Sequence, residues 1–135
     1  MKYVTLEDET WFGIYIDHSS SNMIKNSLIS NAIDGDGVYL FESTGNKLDS
    51  IIVKNNYDGV HSAGSNDNEL YNITAISNRD GIFLDNSHGN TILNFIIDDN
   101  SIIGIEIIDD SSINLIYNNY LRNSVNALIQ TSGIN

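Results

Sequence analysis

The chain has 135 residues, with six Lys and Arg against eighteen Asp and Glu, a formal net charge of −12 and no Cys. One domain is expected at this length, and a strongly acidic chain with scattered cations is not a binder of nucleic acid, whose phosphates demand clustered Lys and Arg. Apolar runs are short, as at residues 102–108 where Gly104 and Glu106 interrupt, so membrane insertion is excluded, and without Cys there are no disulfides, zinc–thiolate sites or thiol catalysis.

The first ten residues lack the apolar stretch of a signal peptide and carry Glu7, Asp8 and Glu9. They depart from everything that follows, and the expectation is a polar cap over residues 1–10 ahead of a domain at 11–135. From Gly13 onward the chain repeats itself. Glycines followed by an apolar residue stand at Gly13, Gly37, Gly59, Gly81 and Gly104, with Ala127 taken as the sixth member, and Asn22, Asn46, Asn68, Asn90 and Asn114 recur nine or ten residues after each glycine. Twenty Asn, twenty-two Ile and no Pro accompany this period of 22 to 24 residues.

Columns through the repeats show which positions face inward. After each glycine come Ile14, Val38, Val60, Ile82, Ile105 and Leu128, and two further on Ile16, Leu40, Ser62, Leu84, Ile107 and Gln130. Period-2 alternation of this kind marks a strand with one buried face. Further apolar columns follow each Asn (Ile24, Leu48, Leu70, Ile92, Ile116, then Ile29, Val53, Ala75, Ile97, Leu121), giving about three short strands per repeat. A helical or leucine-rich repeat does not fit, because β-branched residues fill the apolar columns and Gly and Asn recur too often. The predicted fold is all-β: a right-handed parallel β-helix, a solenoid of about six coils. Asn26, Ser50, Asn72, Asn94 and Asn118 fall at bends, where Asn tolerates left-handed backbone angles and repeated amides can form a ladder. Asp36, Asp58 and Asp80 precede ladder glycines and read as residues of tight Asp-Gly bends.

Segments such as Asn90-Thr91-Ile92-Leu93-Asn94 and Gly81-Ile82-Phe83-Leu84-Asp85-Asn86-Ser87 resemble the repeats of NosD-type β-helix proteins, also called carbohydrate-binding and sugar-hydrolase repeats. The resemblance spans residues 11–135. It implies an extracellular or cell-envelope setting, with relatives that bind, cleave, epimerise or lyse polysaccharides and one branch tied to copper-site maturation.

Function in such a fold rests on outward side chains. Tyr15, Tyr39, His61 and Phe83 share one column after the glycine, with Phe41 and Asp85 beside them, and together form the candidate glycan-binding stripe, rings contacting sugar faces and carboxylates accepting hydroxyls. Cross-strand stacking that only stabilises the sheet is the competing reading. For catalysis the candidates are Asp85 and Glu106 as a carboxylate pair on adjacent coils, with His61 for proton transfer, in a polysaccharide hydrolase or lyase. For calcium the candidates are Asp34, Asp36 and Asp58. His18, His61, His88, Met1 and Met23 fall in different columns, so no soft-ligand set for copper emerges. The preferred function is a non-catalytic, surface-exposed module contacting a polysaccharide or surface glycan; a modifying enzyme and a structural solenoid that self-associates end to end are the alternatives.

Overall fold

The computed structural model describes residues 4–8 and 11–131, and among these every regular element is a β-strand. Strand β1 (Val4–Glu7) leads into coils that each begin with one strand of one sheet and return through the other. The coils are β2 (Ile14–Asp17) with β3 (Met23–Ser30); β4 (Val38–Phe41) with β5 (Lys47–Lys54); β6 (Asp58–Ala63) with β7 (Glu69–Tyr71) and β8 (Thr74–Ile76); β9 (Asp80–Asp85) with β10 (Thr91–Leu93) and β11 (Ile96–Asp98); β12 (Ile103–Asp109) with β13 (Leu115–Tyr117) and β14 (Tyr120–Arg122). A sixth coil opens with β15 (Val125–Thr131).

Each strand pairs in parallel with its equivalents one coil away: Val38 with Val60, Val60 with Ile82, and Ile82 with Ile105. The chain is therefore a right-handed parallel β-helix, the hand that parallel crossovers take. Of the segment expected to cap it, residues 4–7 form β1, which continues the first sheet beside Ser27–Ser30 of β3; residues 1–3, 9 and 10 lie outside the described residues, as do residues 132–135.

The inward columns are the ones the sequence pattern marks. Leu40, Leu48, Val53, Val60, Leu70, Ile82, Leu84, Ile92 and Ile97 are completely buried, joined by Ile51, Ile73 and Phe95 from a further column. The last coil differs by one residue from the sequence reading. Ile105 pairs with Ala127 and Ile107 with Ile129, so Asn126, not Ala127, stands in the glycine column, and Leu128 and Gln130 take outward positions. A one-residue slip exchanges the two faces of a strand; the small side chain of Ala127 imitates the missing glycine.

Two features explain the recurrent Gly and Asn. A Cβ at Gly59 would stand 2.5 Å from the carbonyl oxygen of Gly81 and 3.0 Å from Nδ2 of Asn78, so close approach of neighbouring coils excludes any side chain there. Inside the turn before the first sheet, Asn46 Nδ2 donates to Asn68 Oδ1 at 3.2 Å and Asn68 Nδ2 to Asn90 Oδ1 at 3.1 Å, while the same oxygens accept backbone N–H groups from the preceding coil. These amides occupy the buried polar positions that the fold must satisfy. A second buried asparagine column, Asn56, Asn78, Asn100 and Asn123, does the same at the other turn, and Ser43, Ser65, Ser87 and Ser111 each accept the backbone N–H of the coil before. The bends at Asn26, Ser50, Asn72, Asn94 and Asn118 all have positive φ, between 53° and 59°.

Asp36, Asp58 and Asp80 correct the sequence reading. Gly37, Gly59 and Gly81 have no positive φ, so these Asp-Gly pairs are not tight bends. Asp58 and Asp80 open strands, and the three aspartates stack along the edge of the second sheet. Asp36 Oδ1 accepts from the backbone N of Asp58 at 3.2 Å, and Asp80 Oδ1 from that of Ile103 at 2.9 Å.

Candidate functional site

The second sheet (β2, β4, β6, β9, β12 and β15) turns three parallel columns outward. The middle column is Tyr15, Tyr39, His61, Phe83 and Glu106, held one above another by strand register. Its ring centroids are 5.4 Å apart from Tyr15 to Tyr39, 4.6 Å from Tyr39 to His61 and 4.6 Å from His61 to Phe83. Phe12, which the sequence reading omitted, stacks on Tyr15 and Tyr39 at 5.3 and 5.0 Å, and Phe41 tilts against Tyr39 at 6.0 Å. Spacing between strands dictates this row, but the interplanar angles of 12° to 39° show that most rings face each other along the stack. Within the row, ring faces are turned largely toward neighbouring rings, although Tyr15 at its end stays half exposed.

A groove runs along one margin of the row, lined by Trp11, Phe12, Asp34, Asp36, Tyr39, Tyr57, Asp58, His61, Arg79 and Phe83. Trp11 is 70% exposed and is the chain's only tryptophan, so its indole offers the free face that the stacked rings lack. On the groove floor His61 Nδ1 lies 2.9 Å from Asp36 Oδ2, and Nε2 is sealed from solvent with no hydrogen-bond partner. Arg79 reaches Asp58 at 3.2 Å and Asp80 at 2.7 Å, its guanidinium over the Tyr57 ring. Burial, with Asp36 and Asp80 close by, pushes the Asp58 carboxyl up to about 7 despite the Arg79 contact. Glu106 is likewise raised, by burial first and by Asp80 second.

Along the opposite margin a second shallow groove is lined by Phe41, Glu42, Ala63, Gly64, Asp85, Asn86, Asp109, Asp110 and Gln130. Burial and a hydrogen bond with Asp109 raise the Asp85 carboxyl. The catalytic candidates are thus divided: Asp85 lines this groove, His61 lines the other, and Glu106 is influenced by Asp80 and Arg79. The carboxylate that approaches Asp85 is Asp109, three residues after Glu106 in the same strand.

Of the proposed calcium ligands, Asp36 and Asp58 converge, with His61 rather than Asp34 as third member; one donor atom from each falls within 4.8 Å of the others. Asp34 is exposed at the groove margin. Calcium takes about six to eight oxygens, and this group supplies two carboxylates, one of them already against Arg79.

The comparisons place these features among known proteins. A family profile described as "Periplasmic copper-binding protein (NosD)" matches residues 2–135. Among solved structures the chain is similar to the periplasmic alginate epimerase AlgG, crystallised as its T265N mutant, with 18% identity and a TM-score of 0.56 over 97% of this chain; the match spans 41% of that protein, less than half its length. Among curated proteins no sequence matches. The family's description implies copper, which calls for converging imidazole or sulfur donors. The chain has no Cys, Met23 is exposed on β3 of the other sheet, and Met1 lies outside the described residues. His18 contacts Asp17 and Glu42, and His88 contacts Ser112, both apart from His61. One imidazole and two carboxylates, one of them already held by Arg79, do not fit a copper site.

Proposed function

We propose, starting from a chain that belongs to the NosD family, that it is a non-catalytic β-helix module of the cell envelope that holds a polysaccharide along the outward face of its second sheet. The family's periplasmic description supports the location. The observation that carries the binding reading is the groove beside the ring column, where the exposed indole of Trp11 shares the lining with Tyr39, Tyr57 and Phe83 and the exposed carboxylate of Asp34 stands at the margin. The grooves are open and shallow, a shape suited to an extended polymer rather than a small metabolite. Stacking one sugar on an aromatic ring and hydrogen-bonding its hydroxyls yields modest affinity per residue, which a polymer multiplies across coils.

A polysaccharide-modifying enzyme is the second reading, favoured by the His61–Asp36 pair, which resembles an oriented base. Against it stands the sealed Nε2 of His61: a general base must reach the proton it removes. Fluorescence excited selectively at tryptophan reports on one residue in this chain, so titration with glycan oligomers reads the site directly. Saturable change of Trp11 emission, lost in Phe83→Ala with folding intact by circular dichroism, is the expected result. No change with any glycan discards the binding reading, and reducing-sugar or unsaturated product above background would replace it with the enzymatic one.

A further inference from the structure

The polymer's chemical class can be read from how charge is distributed over the solenoid; this step rests on the glycan-binding reading above. Five cationic side chains lie among the described residues. Lys25, Lys47 and Lys54 sit on β3 and β5, and Arg122 on β14, all in the first sheet. Only Arg79 belongs to the second sheet's face, and it is spent on Asp58 and Asp80. Carboxylates within reach of solvent, by contrast, border the ring column on both sides: Asp34 along one groove, Glu42, Asp85 and Asp109 along the other, while Asp36 and Asp58 lie buried beneath the first. Coils rise about 4.8 Å each, so Asp85 and Asp109 on successive coils stand about one sugar apart, with Glu42 two coils before Asp85.

We infer that the glycan held on this face carries free amino groups, as in a deacetylated hexosamine polymer, and that polyuronates are rejected. A uronate chain would set a carboxylate beside the protein's own at each sugar, with no unspent cation to receive it, and like charges so placed cost affinity and slow encounter. An ammonium-bearing chain meets the reverse field: its amines find carboxylate acceptors at Asp34, Glu42, Asp85 and Asp109 along the groove margins while a sugar ring lies against Trp11. Asp85 and Glu106 are already held above the ordinary carboxylate range by burial and by neighbouring acids; a cation between such groups relieves that repulsion. The inference separates this chain from its structural neighbour, the alginate epimerase, since alginate is a polyanion.

Trp11 fluorescence titrations at pH 6 with three oligomer series of equal length test it: glucosamine with free amines, N-acetylglucosamine, and a uronate. Because a polycation adheres to any acidic protein, two variants of equal charge change localise the binding. Asp34→Asn with Asp85→Asn removes one carboxylate from each groove, whereas Asp67→Asn with Asp99→Asn removes two exposed ones from turns where positive φ suits Asn and which line neither groove. The expected result is that the free-amine series binds tightest, weakens with salt, and loses about tenfold in the groove variant, equivalent to about 1.4 kcal/mol, but less than about twofold in the turn variant. Uronates binding as tightly, acetylated oligomers matching the free amines, or the two variants losing equally would each overturn the amine inference while leaving a glycan site in place. Silence from all three series would remove the site itself.

Discussion

Replacing Asn68 with Ala tests whether the buried amides hold the coils together. Asn68 is 1% exposed. Its Oδ1 accepts the backbone N–H of Asn46 at 2.8 Å and the Asn46 side chain at 3.2 Å, and its Nδ2 donates to Asn90 Oδ1 and to the Ser43 carbonyl, each at 3.1 Å. Truncation orphans the Asn46 N–H completely, because that group has no other partner, at about 1–3 kcal/mol. The remaining three atoms keep one partner each: the Asn46 amide retains Ser19 O, the Ser43 carbonyl retains Asn66 N, and Asn90 Oδ1 retains the Asn68 backbone. Weakened rather than orphaned, they add roughly 0.5 kcal/mol each, for a total of about 2.5–4.5 kcal/mol. In a chain this size such a loss lowers Tm by roughly 10 °C. The control is Asn94→Ala, exposed and at φ 59°, where the main loss is a residue that tolerates left-handed angles, about 1 kcal/mol. Denaturant titrations followed by circular dichroism measure both. Equal losses at the two sites, or less than about 1 kcal/mol at Asn68, would refute the claim that the buried column is a structural requirement and not a compositional habit.

Gly81→Ala should be poorly tolerated, since its Cβ would stand 2.5 Å from the Gly104 carbonyl oxygen and press on Ile97, whereas Gly45→Ala, with open space around it and φ 62°, should lose only about 1 kcal/mol of backbone preference; thermal melts of the pair measure the difference. Stability should fall as pH rises from about 4 through about 7, because Asp58 keeps its proton in the folded chain at pH values where the unfolded chain has released it, so the folded state binds the extra proton and is favoured at the acid end. Asp58→Asn, which cannot titrate, should flatten the Tm profile between pH 5 and 8, and an unchanged profile would assign the slope to other groups.

Much of the scaffold is legible in the sequence because stacking imposes the same demand on every coil. A position that meets its own copy above and below repeats at the coil period, so the glycine column, the Asn22 to Asn114 column and the inward Ile, Leu and Val could be read by alignment of the chain with itself. The Asn56 to Asn123 and Ser43 to Ser111 columns carried the same signal, at spacings of 22 to 24, and were overlooked beneath the stronger glycine period. The slip at Ala127 arose where the column lost its glycine and one small residue resembled the next. What the repeat could not reveal is how outward side chains are turned. Strand spacing predicts that Tyr15, Tyr39, His61 and Phe83 form a row, but not that the rings face each other, and so not that the open aromatic surface belongs to Trp11 instead.

The outward positions also show why coil spacing alone misplaced the acid sites. Asp85 and Glu106 share the outward face on adjacent coils but stand two positions apart along the strand, in different columns, whereas Asp85 and Asp109 come together because the strand's exit into the next turn carries Asp109 toward the same margin. Asp36 and His61 are 25 residues apart, one coil and three positions, and meet because Asp36 sits just ahead of β4 at the sheet edge, where its other oxygen accepts the backbone N–H of Asp58 on the coil of His61. Inward columns are fixed by contact with their own copies, and any departure is costly. Outward columns have no such constraint, so a charge asymmetry that persists along one face while cations collect on the other is not something the fold requires. That freedom is what makes the acidic margins of the second sheet the part of this chain most directly open to shaping by a ligand.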